Sequence, residues 1–204
     1  MEKKRVIGLT GQTGAGKTTV SGFAGELGCA VVDADKMAHE ALAPGSDCLK
    51  RLAEIFGHDI IEKDGSCRRS VLAQRAFSDK KSTALLNSIT HPWIIEKSGQ
   101  YIRRKLENND IVIFDAPLLF ESGGDRLCGT VIAVTAPENI RIERIMQRDG
   151  ISEKAARLRM GAQHDEEYYT SRADYVIDGS ASLDEIKRKT TAIISEIQNC
   201  AALT

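Results

Sequence analysis

The residues best suited to chemistry in this chain form a glycine-rich segment near the amino terminus, Gly11–Thr18. Its sequence, Gly-Gln-Thr-Gly-Ala-Gly-Lys-Thr, fits the pattern Gly-x-x-x-x-Gly-Lys-Ser/Thr of a phosphate-binding loop. Glycines let the backbone curl so that successive N–H groups point inward at an anion. The Lys17 ammonium can reach the outer phosphates of a nucleotide, and the Thr18 hydroxyl can bind Mg²⁺. The segment therefore predicts a site for a phosphate chain.

The residues on either side of this loop favour the same interpretation. Val6–Thr10 is a short apolar run of the kind that forms a buried parallel strand. After the loop, apolar residues recur at helical spacing up to Leu27, and Gly28 follows where a helix would end. A glycine-rich turn with an incidental lysine would fit the same letters, but not this strand–loop–helix context. The residues predicted to bind the nucleotide are Gly11, Gln12, Thr13, Gly14, Ala15, Gly16, Lys17, Thr18 and Thr19.

Carboxylates follow two of the predicted strands, at the edge where open parallel sheets bind ligands. Asp33 and Asp35 end the second strand, and either could accept a hydroxyl proton, contact Mg²⁺ or cap the next helix. We expect Asp33 to face the site and Asp35 to cap. Asp115 follows the apolar run Ile111–Phe114, which is the Walker-B arrangement beside a phosphate loop. The predicted metal ligands are Thr18, Asp33 and Asp115.

The loop that follows Asp115, Ala116–Glu121, is apolar apart from its last residue. It could form a slot for a flat ring, or its side chains could belong to the core. His91, which precedes Pro92, is a lone histidine, and such residues are more often structural than functional.

Five arginines lie in the charged segment 139–169, which follows the fourth predicted strand. Arginine clamps suit transferring phosphates, because the planar guanidinium matches their oxygen atoms. Interspersed carboxylates would also fit a solvated helix face, so both interpretations stay open for any single arginine. The five are Arg141, Arg144, Arg148, Arg157 and Arg159.

Composition and charge argue against several classes of protein. The chain has 204 residues, of which 42% are apolar and 28% charged, as in ordinary globular domains. A net charge of −1 offers no general attraction for nucleic acid, and no apolar stretch approaches the roughly 20 residues that span a bilayer. The five cysteines form no Cys-x-x-Cys pair, which favours free thiols in a reducing compartment. Since the first strand leaves no room for a signal peptide, we predict a cytoplasmic protein that binds neither nucleic acid nor membranes.

Apolar runs alternate with helical patterns along the chain, which predicts a parallel sheet covered on both faces. The predicted strands are Val6–Thr10, Cys29–Val32, Ile111–Phe114, Thr130–Val134 and Tyr175–Ile177. Between the second and third strands, helical patterns predict an insertion that covers the substrate. They occupy Asp47–Phe56, Ser70–Phe77, Lys81–Ile89 and, after His91-Pro92, a longer run to about Leu106. Asn139–Tyr169 predicts two helices that form a mobile lid, and Asp184–Cys200 predicts a closing helix.

Together these residues resemble the dephospho-coenzyme A kinase family from Val6 to about Gly179. A phosphate loop alone would fit many enzymes, whereas the ordered set of motifs is far more specific. The set comprises Gly8-Leu9-Thr10-Gly11 with Gly16-Lys17-Thr18, Asp33-Ala34-Asp35, Arg69 with Leu72 and Phe77, Asn87 with His91-Pro92, Asp115–Glu121, Arg144 with Arg148-Asp149, Arg159 with Gln163, and Ala173–Asp178.

The resemblance implies ATP-dependent phosphorylation of the ribose 3′-hydroxyl of dephospho-coenzyme A, the last step of coenzyme A synthesis, with Mg²⁺ as the metal. It also implies an α/β P-loop NTPase fold, with a five-stranded parallel sheet flanked by helices as in nucleoside monophosphate kinases. The core would comprise about 1–34, 110–138 and 172–204, the helical coenzyme-A-binding insertion about 35–109, and the lid about 139–171. A monomer or weak homo-oligomer is expected.

The resemblance also assigns roles to individual residues. Asp33 would be the catalytic carboxylate near the 3′-hydroxyl, with Lys17 and Arg144 acting at the phosphates. Further nucleotide contacts would come from Arg148 and Asp174. The residues expected to line the acceptor site are Asp35, His91, Pro92, Leu118, Leu119 and Glu121.

Three positions depart from the usual family pattern. His39 and Tyr169 stand where the family often has a basic residue, which removes two potential phosphate contacts. Gly179 replaces a frequent Asn.

Two other functions share some of these features. A kinase for a nucleotide, nucleoside or shikimate-like acceptor would have the same loop, insertion and lid. A GTPase-type switch is less compatible, because the chain has no Asn-Lys-x-Asp signature and Leu118 stands where an Asp-x-x-Gly switch needs glycine.

Overall fold

The computed structural model describes residues 5–202 of the chain. Within them, a five-stranded sheet has the order β2-β3-β1-β4-β5. The strands are β1 (Val6–Thr10), β2 (Ala30–Asp33), β3 (Val112–Asp115), β4 (Thr130–Thr135) and β5 (Tyr175–Asp178). β1 pairs in parallel with both β3 and β4, and β4 pairs in parallel with β5. The predicted α/β fold with a parallel sheet flanked by helices is confirmed, and each strand boundary lies within one residue of its prediction.

Helices occupy most of the chain between the strands. They are α1 (Lys17–Glu26), α2 (Ala34–Ala41), α3 (Asp47–Phe56), α4 (Arg69–Ala76), α5 (Lys80–Leu106), α6 (Glu138–Asp149), α7 (Glu153–Gly161), α8 (Glu166–Thr170) and α9 (Leu183–Ala202). α2 corresponds to the helix that was expected to follow Asp33-Ala34-Asp35 but was given no bounds. None of the helices in residues 5–202 is both long and apolar enough to cross a membrane.

The strand register brings the loops that follow the central strands to one edge of the sheet. Leu9 of β1 pairs with Asp115 of β3, and Thr10 pairs with Ala133 of β4. All five residues of β1 are buried, which is why its sequence is uninterrupted by polar side chains other than the terminal threonine. The loop that begins at Gly11 after β1 therefore lies at the same edge of the sheet as the loops that follow β3 and β4.

The chain divides into two compact units. Among the described residues, one contains 5–32 and 102–202, and the other spans Asp33–Tyr101. The core of the first unit joins one face of β1 and β4 to α1 and α9, through side chains such as Ile7, Leu9 and Ile194. The segment 139–171, predicted as a lid, belongs to this first unit.

The second unit has its own apolar core. α3 buries Leu49, Leu52 and Phe56 on one face, as its 3–4 residue spacing predicts. These side chains pack with Leu72 of α4 and Ile89 of α5. Ser46 caps α3 by accepting the N–H of Cys48 at 3.2 Å. The predicted insertion, 35–109, thus contains a cluster that is buried independently of the sheet.

The expected interruption at His91-Pro92 is wrong, because α5 runs continuously from Lys80 to Leu106 with Pro92 inside it. Proline lacks an N–H and removes one i→i−4 hydrogen bond, but tertiary packing can override this local cost. Ile89, one turn before Pro92, is 4% exposed, and Trp93 and Ile94 pack against the same core. Burial on both sides of the proline therefore stabilises a single helix.

The segment between β4 and β5 holds three helices rather than the two predicted. α6 and α7 are joined at Gly150, whose φ of 64° lets the chain leave α6 in a left-handed conformation. Ile142 and Ile145 of α6 pack against Ala156 of α7. α8 is a short additional helix, capped by Asp165, which accepts the N–H of Tyr168 at 2.9 Å.

Asp79, directly before α5, gives the stability of the second unit an acid dependence. Its carboxylate accepts the N–H of Ser82 at 2.9 Å and the hydroxyls of Ser82 and Ser78 at 2.8 and 2.9 Å. These hydrogen bonds lower the pKa of Asp79 to about 2. A carboxyl whose pKa is depressed on folding contributes stability above its unfolded pKa of about 3.9, and this is lost as pH falls towards the folded value.

We therefore expect Asp79→Asn to flatten the fall of the melting temperature between about pH 4 and pH 2, because asparagine has no charge to lose. Thermal melts at stepped pH measure this. Ser88→Ala, in α5 itself, changes no titratable group and is the control that should keep the wild-type slope. An identical acid slope in Asp79→Asn and wild type would contradict the assignment.

Candidate active site

The glycine-rich loop has a backbone that only glycine adopts readily. Gly11, Gly14 and Gly16 have φ values of 138°, 78° and 106°. At Gly11 an added Cβ would lie 2.2 Å from the carbonyl oxygen of Val134, so a side chain is excluded by space as well as by conformation. The glycines predicted from the sequence pattern are thus required by the fold of the loop.

The loop leads directly into the amino end of α1. Gly16 is the N-cap residue of α1, and no side chain caps this helix. The first N–H groups of an α-helix lack intrahelical partners and attract anions, a tendency that the helix dipole strengthens. Lys17 Nζ donates to the Gly11 carbonyl oxygen at 3.1 Å, so the ammonium lies across the loop. Thr18, on the first turn, is exposed. The structure therefore brings donors and a cation together at one place, as the sequence predicts.

Arg144 of α6 contacts the backbone of the loop. Its NH1 donates to the carbonyl oxygens of Gly14 and Ala15 at 3.2 and 3.3 Å, and its NH2 donates to that of Gly179 at 2.8 Å. The guanidinium therefore joins the phosphate loop to the residue that follows β5. This places Arg144, predicted at the phosphates, directly beside the loop that would hold them.

Arg141, one turn earlier in α6, is also attached to the loop. Its Nε donates to the Thr13 carbonyl oxygen at 3.1 Å, and its NH1 donates to Gln12 Oε1 at 2.5 Å. Gln12 Nε2 in turn donates to the carbonyl oxygen of His164 at 2.8 Å, and Gln163 Oε1 accepts the N–H of Thr13 at 2.9 Å. The side chain of Gln12 and the backbone of Thr13 are thus used to hold the loop.

The sequence did not predict that Arg141 and Gln163 hold the phosphate loop through hydrogen bonds. Arg141 was grouped with the other arginines as a phosphate clamp, and Gln163 entered only through the family resemblance. The one available signal was the spacing of Arg141 and Arg144, which places both on one face of a helix.

The remaining three arginines of this segment form ion pairs at the surface. Arg148 and Arg159 both bind the carboxylate of Asp149, whose pKa is lowered chiefly by its hydrogen bonds with Arg148. Arg157 pairs with Glu138 at 2.6 Å and with Glu153 at 2.8 Å. In the described structure these guanidinium groups are held by carboxylates, whereas those of Arg141 and Arg144 are held by the loop.

Of the two carboxylates after β2, Asp33 and not Asp35 caps the next helix. Asp33 is the N-cap of α2, and its Oδ1 accepts the N–H of Asp35 at 2.9 Å. Asp35 lies inside the first turn of the helix, so the expectation that Asp35 caps is wrong. A cap needs extended backbone and a side-chain oxygen before the first turn, and Asp33 meets both conditions with a φ of −101° and ψ of 115°. The second oxygen of Asp33 has no partner among the described residues.

Asp115 and the loop after it occupy the carboxyl end of β3. Asp115 pairs with Leu9 in the sheet, and the Thr10 hydroxyl donates to the Pro117 carbonyl oxygen at 3.3 Å. The two leucines of the loop separate: Leu119 is fully buried, whereas Leu118 is 48% exposed. Leu119 packs over Gly8, where an added Cβ would meet its Cδ2 at 2.8 Å. Leu119 thus belongs to the core, and Leu118 is the leucine available to a ligand.

Glu121 ends this loop in a partly apolar setting. Tyr169 donates its hydroxyl to Glu121 Oε1 at 3.3 Å. Burial and the neighbouring Glu121 carboxylate raise the pKa of Tyr169, so its hydroxyl stays protonated. Glu121 Oε2 is buried and has no hydrogen-bond donor among the described residues. A buried carboxylate oxygen without a donor is costly, which marks this atom as one that a bound donor group would stabilise.

Asp174 does not lie with the phosphate loop. It precedes β5, and its Oδ2 accepts the N–H of Val131 at 2.8 Å, at the amino ends of β4 and β5. Asp178 and Gly179 are the residues of this segment at the carboxyl end. Asp178 accepts the N–H and hydroxyl of Ser180, which lowers the pKa of its carboxyl.

His91 and Pro92 lie mid-helix in α5, within the second unit. His39, another residue of that unit, has its ring Nδ1 at 2.7 Å from the Asp35 carbonyl oxygen in α2. This contact is internal to α2, so His39 supports its own helix turn.

Gly179 leaves no room for the asparagine that the family often has there. An added Cβ would lie 2.0 Å from the Ala15 carbonyl oxygen and 3.0 Å from Val134 Cγ1. We expect Gly179→Asn to lower the free energy of unfolding by about 1–3 kcal/mol and to weaken nucleotide binding, because the loop backbone must move. Chemical denaturation and ATP titration measure the two effects.

Gly25→Asn is the matched control, since an added Cβ at Gly25 of α1 has no heavy atom within 4 Å. It should lose little stability and no nucleotide affinity. Wild-type ATP affinity and stability in Gly179→Asn would show that the loop tolerates the side chain.

Comparison with known proteins assigns the arrangement to one family. The family described as dephospho-CoA kinase matches residues 5–185. A dephospho-CoA kinase of Corynebacterium glutamicum is 40% identical over 192 residues, which cover 94% of this chain and 98% of that protein. A crystal structure of a Thermus thermophilus protein superposes with a TM-score of 0.79 at 30% identity, covering 94% of this chain and 96% of the other. The structure of dephospho-CoA kinase from Campylobacter jejuni gives a TM-score of 0.62 at 28% identity, with coverage of 95% and 97%.

Proposed function

The chain belongs to the dephospho-CoA kinase family, and we propose that it transfers the terminal phosphoryl group of ATP to the ribose 3′-hydroxyl of dephospho-coenzyme A. The products would be coenzyme A and ADP. The family match favours this acceptor over the nucleotide, nucleoside and shikimate-type acceptors that the loop alone would allow. The observation that carries the proposal is the glycine loop, which leads into an uncapped helix with Lys17 lying across it.

The loop would hold the phosphate chain of ATP. The first N–H groups of α1 would donate to phosphate oxygens, together with loop amides other than those of Thr13 and Ala15, which have partners within the protein. Lys17 would exchange its bond to the Gly11 carbonyl for the outer phosphates. Arg144 and Arg141 would keep the loop in shape while it is loaded. Positioning and charge stabilisation supply most of the catalysis in phosphoryl transfer, so a rigid loop contributes directly to rate.

Asp33 would orient the acceptor. In the reaction, the 3′-oxygen forms a bond to the γ-phosphorus while the bond from that phosphorus to the β–γ bridging oxygen breaks, and ADP leaves. The hydroxyl proton passes to the Asp33 carboxylate late in the step, because a largely dissociative transition state needs little prior deprotonation. One oxygen of Asp33 is occupied by the cap of α2, which would fix the other oxygen for the hydroxyl.

The oxygen donors available suit Mg²⁺ as the metal. No cluster of three or more His, Cys, Asp or Glu side chains within the described residues could hold a metal unaided. Mg²⁺ is usually held by one or two carboxylates together with waters and substrate phosphates. The Thr18 hydroxyl and the carboxylates of Asp33 and Asp115 provide hard oxygen ligands of that kind. When bound, the ion would neutralise charge on the β- and γ-phosphates.

The remaining acceptor contacts are proposed from the family resemblance and the exposure of the side chains. Leu118 offers an exposed apolar surface, and Glu121 Oε2 offers an acceptor for a hydroxyl or N–H group of the substrate. From the helical insertion, the acceptor would be contacted by Asp35, His91 and Pro92. Leu119 would act from the core, by holding Leu118 in place.

A coupled assay of ADP release tests the proposal. Purified protein, ATP and Mg²⁺ should release ADP only when dephospho-coenzyme A is added, and the product should be coenzyme A phosphorylated at the 3′ position. Shikimate, AMP and adenosine, tested in parallel, should give only the background rate. ADP release with one of these acceptors and none with dephospho-coenzyme A would overturn the proposal.

A further inference from the structure

Arg141 is the arginine of the 138–170 segment with the most buried side chain. It is 6% exposed, whereas Arg148 and Arg157 are surface residues that bind carboxylates. Within residues 5–199, Arg141 has no ion pair: its recorded partners are the Thr13 carbonyl and the Gln12 side-chain oxygen. Its positive charge is thus held by neutral acceptors.

The carboxylates near Arg141 act on it only at longer range. Glu138 and Glu166 favour its charged form without contacting it, and Tyr169 has a similar effect. Burial opposes that form and lowers the pKa of Arg141. A buried charge is costly unless it is paired, so the folded protein keeps a cation whose compensation is incomplete. An anion in the adjacent loop would complete it.

The location of Arg141 relative to the loop is tightly defined. An added Cβ at Gly14 would lie 2.8 Å from the Arg141 carbonyl oxygen, so the backbone of α6 touches the loop. The guanidinium contacts the Gln12 side chain and the Thr13 carbonyl oxygen, and Gln12 also donates to the His164 carbonyl at 2.8 Å. Arg141 is therefore anchored to the loop at Gln12 and Thr13.

We propose that Arg141 is a positioning residue that tunes the loop for polyanions, by supplying an incompletely compensated positive charge beside Gln12 and Thr13. It acts through the loop and not by contact with the nucleotide. The inference rests on the proposed function, because it needs the phosphates of a nucleotide to lie in Gly11–Thr18. It goes beyond that function in giving this buried arginine, rather than the exposed arginines of the segment, the electrostatic role.

Titration of the protein with ATP or ADP, in the absence of an acceptor, tests the proposed role of the Arg141 charge. Arg141→Met keeps the length of the side chain and removes the charge, and we expect its Kd for ATP to rise about tenfold or more, with a smaller rise for ADP. Arg141→Lys keeps the positive charge but cannot make both guanidinium hydrogen bonds, and it should retain most of the wild-type affinity for ATP. Arg157→Met, in the same segment, should bind ATP like wild type. Equal affinity of Arg141→Met and wild type, or equal weakness of the Lys and Met variants, would overturn the proposal.

A second pair of variants leaves Arg141 in place, in case Arg141→Met does not fold. Gln12→Glu neutralises the guanidinium with a carboxylate, whereas Gln12→Met removes the same side-chain bonds without adding charge. We expect Gln12→Glu to bind ATP more weakly than Gln12→Met, and equal affinities would refute the electrostatic role. If wild-type protein itself fails to bind ATP, the proposed function fails instead, so the two failures are distinguishable.

Discussion

Asp33→Asn should leave the protein folded and remove most of its turnover. Asp33 caps α2 through Oδ1, which accepts the Asp35 N–H at 2.9 Å, and an asparagine oxygen can make the same bond. The variant loses the negative charge and the capacity to take the acceptor proton. We expect kcat to fall about 10²- to 10⁴-fold, as for removal of a general base. Steady-state kinetics measures the loss, and the melting temperature and ATP affinity should stay near wild type.

Asp165→Asn provides a matched control for this change. Asp165 caps α8 by accepting the Tyr168 N–H at 2.9 Å, so the same substitution alters another helix cap without removing a carboxylate at the end of a strand. Its turnover should be unchanged. Asp33→Ala separates the capping role of Asp33 from its role at the acceptor, because alanine also loses the cap of α2. Its free energy of unfolding should be about 1 kcal/mol lower than that of Asp33→Asn. Near-normal turnover in Asp33→Asn would remove Asp33 from the proposed reaction.

Lys17→Ala should abolish both tight nucleotide binding and turnover. The ammonium lies 3.1 Å from the Gly11 carbonyl oxygen, across the loop that leads into α1. Without it, charge on the outer phosphates and in the transition state would lack its nearest protein cation. We expect kcat/KM to fall about a thousandfold, the effect of losing one strong charge-stabilising group in an active site. Kinetics and ATP titration measure the two losses.

The control for this variant is Lys187→Ala in α9. Lys187 bonds with Glu26 at 2.7 Å on the surface, so its removal deletes a lysine from the same unit without touching the loop. Its kinetics should match wild type, because exposed ion pairs contribute little. If Lys17→Ala instead binds ATP with wild-type affinity and rate, Lys17 does not act at the phosphates.

Local pattern predicted most of the architecture. All five strands were predicted within one residue, and α3 over Asp47–Phe56 matches the predicted bounds. The reason is that buried strands and amphipathic helices carry their own hydrophobic periods. α5 shows the limit of this reasoning, because Pro92 predicts a break that burial of Ile89 and its neighbours overrides. α2 was expected only as the helix that follows Asp33-Ala34-Asp35, without bounds.

Side-chain partners were harder to predict than elements. A carboxylate at the end of β2 was expected, but which of Asp33 and Asp35 caps α2 depends on the backbone angle at the strand end. Asp174 was expected near the nucleotide, yet the parallel pairing of β4 and β5 puts it at the amino ends, where it binds Val131. Asp174 and Asp178 lie at opposite ends of β5, and the parallel pairing of β5 with β4 determines which of the two is at the carboxyl edge of the sheet.

The sequence by itself determined the phosphate loop, the parallel sheet and the family, because glycine spacing, apolar runs and motif order are local and ordered properties of the chain. Only the tertiary structure decided which arginines support the loop. Arg141 meets Gln12 across 129 residues of chain, and Gln12 meets His164 across 152. Such partners are selected by the packing of α6 and α8 beside β1 and β4, and no local pattern of residue types encodes that choice.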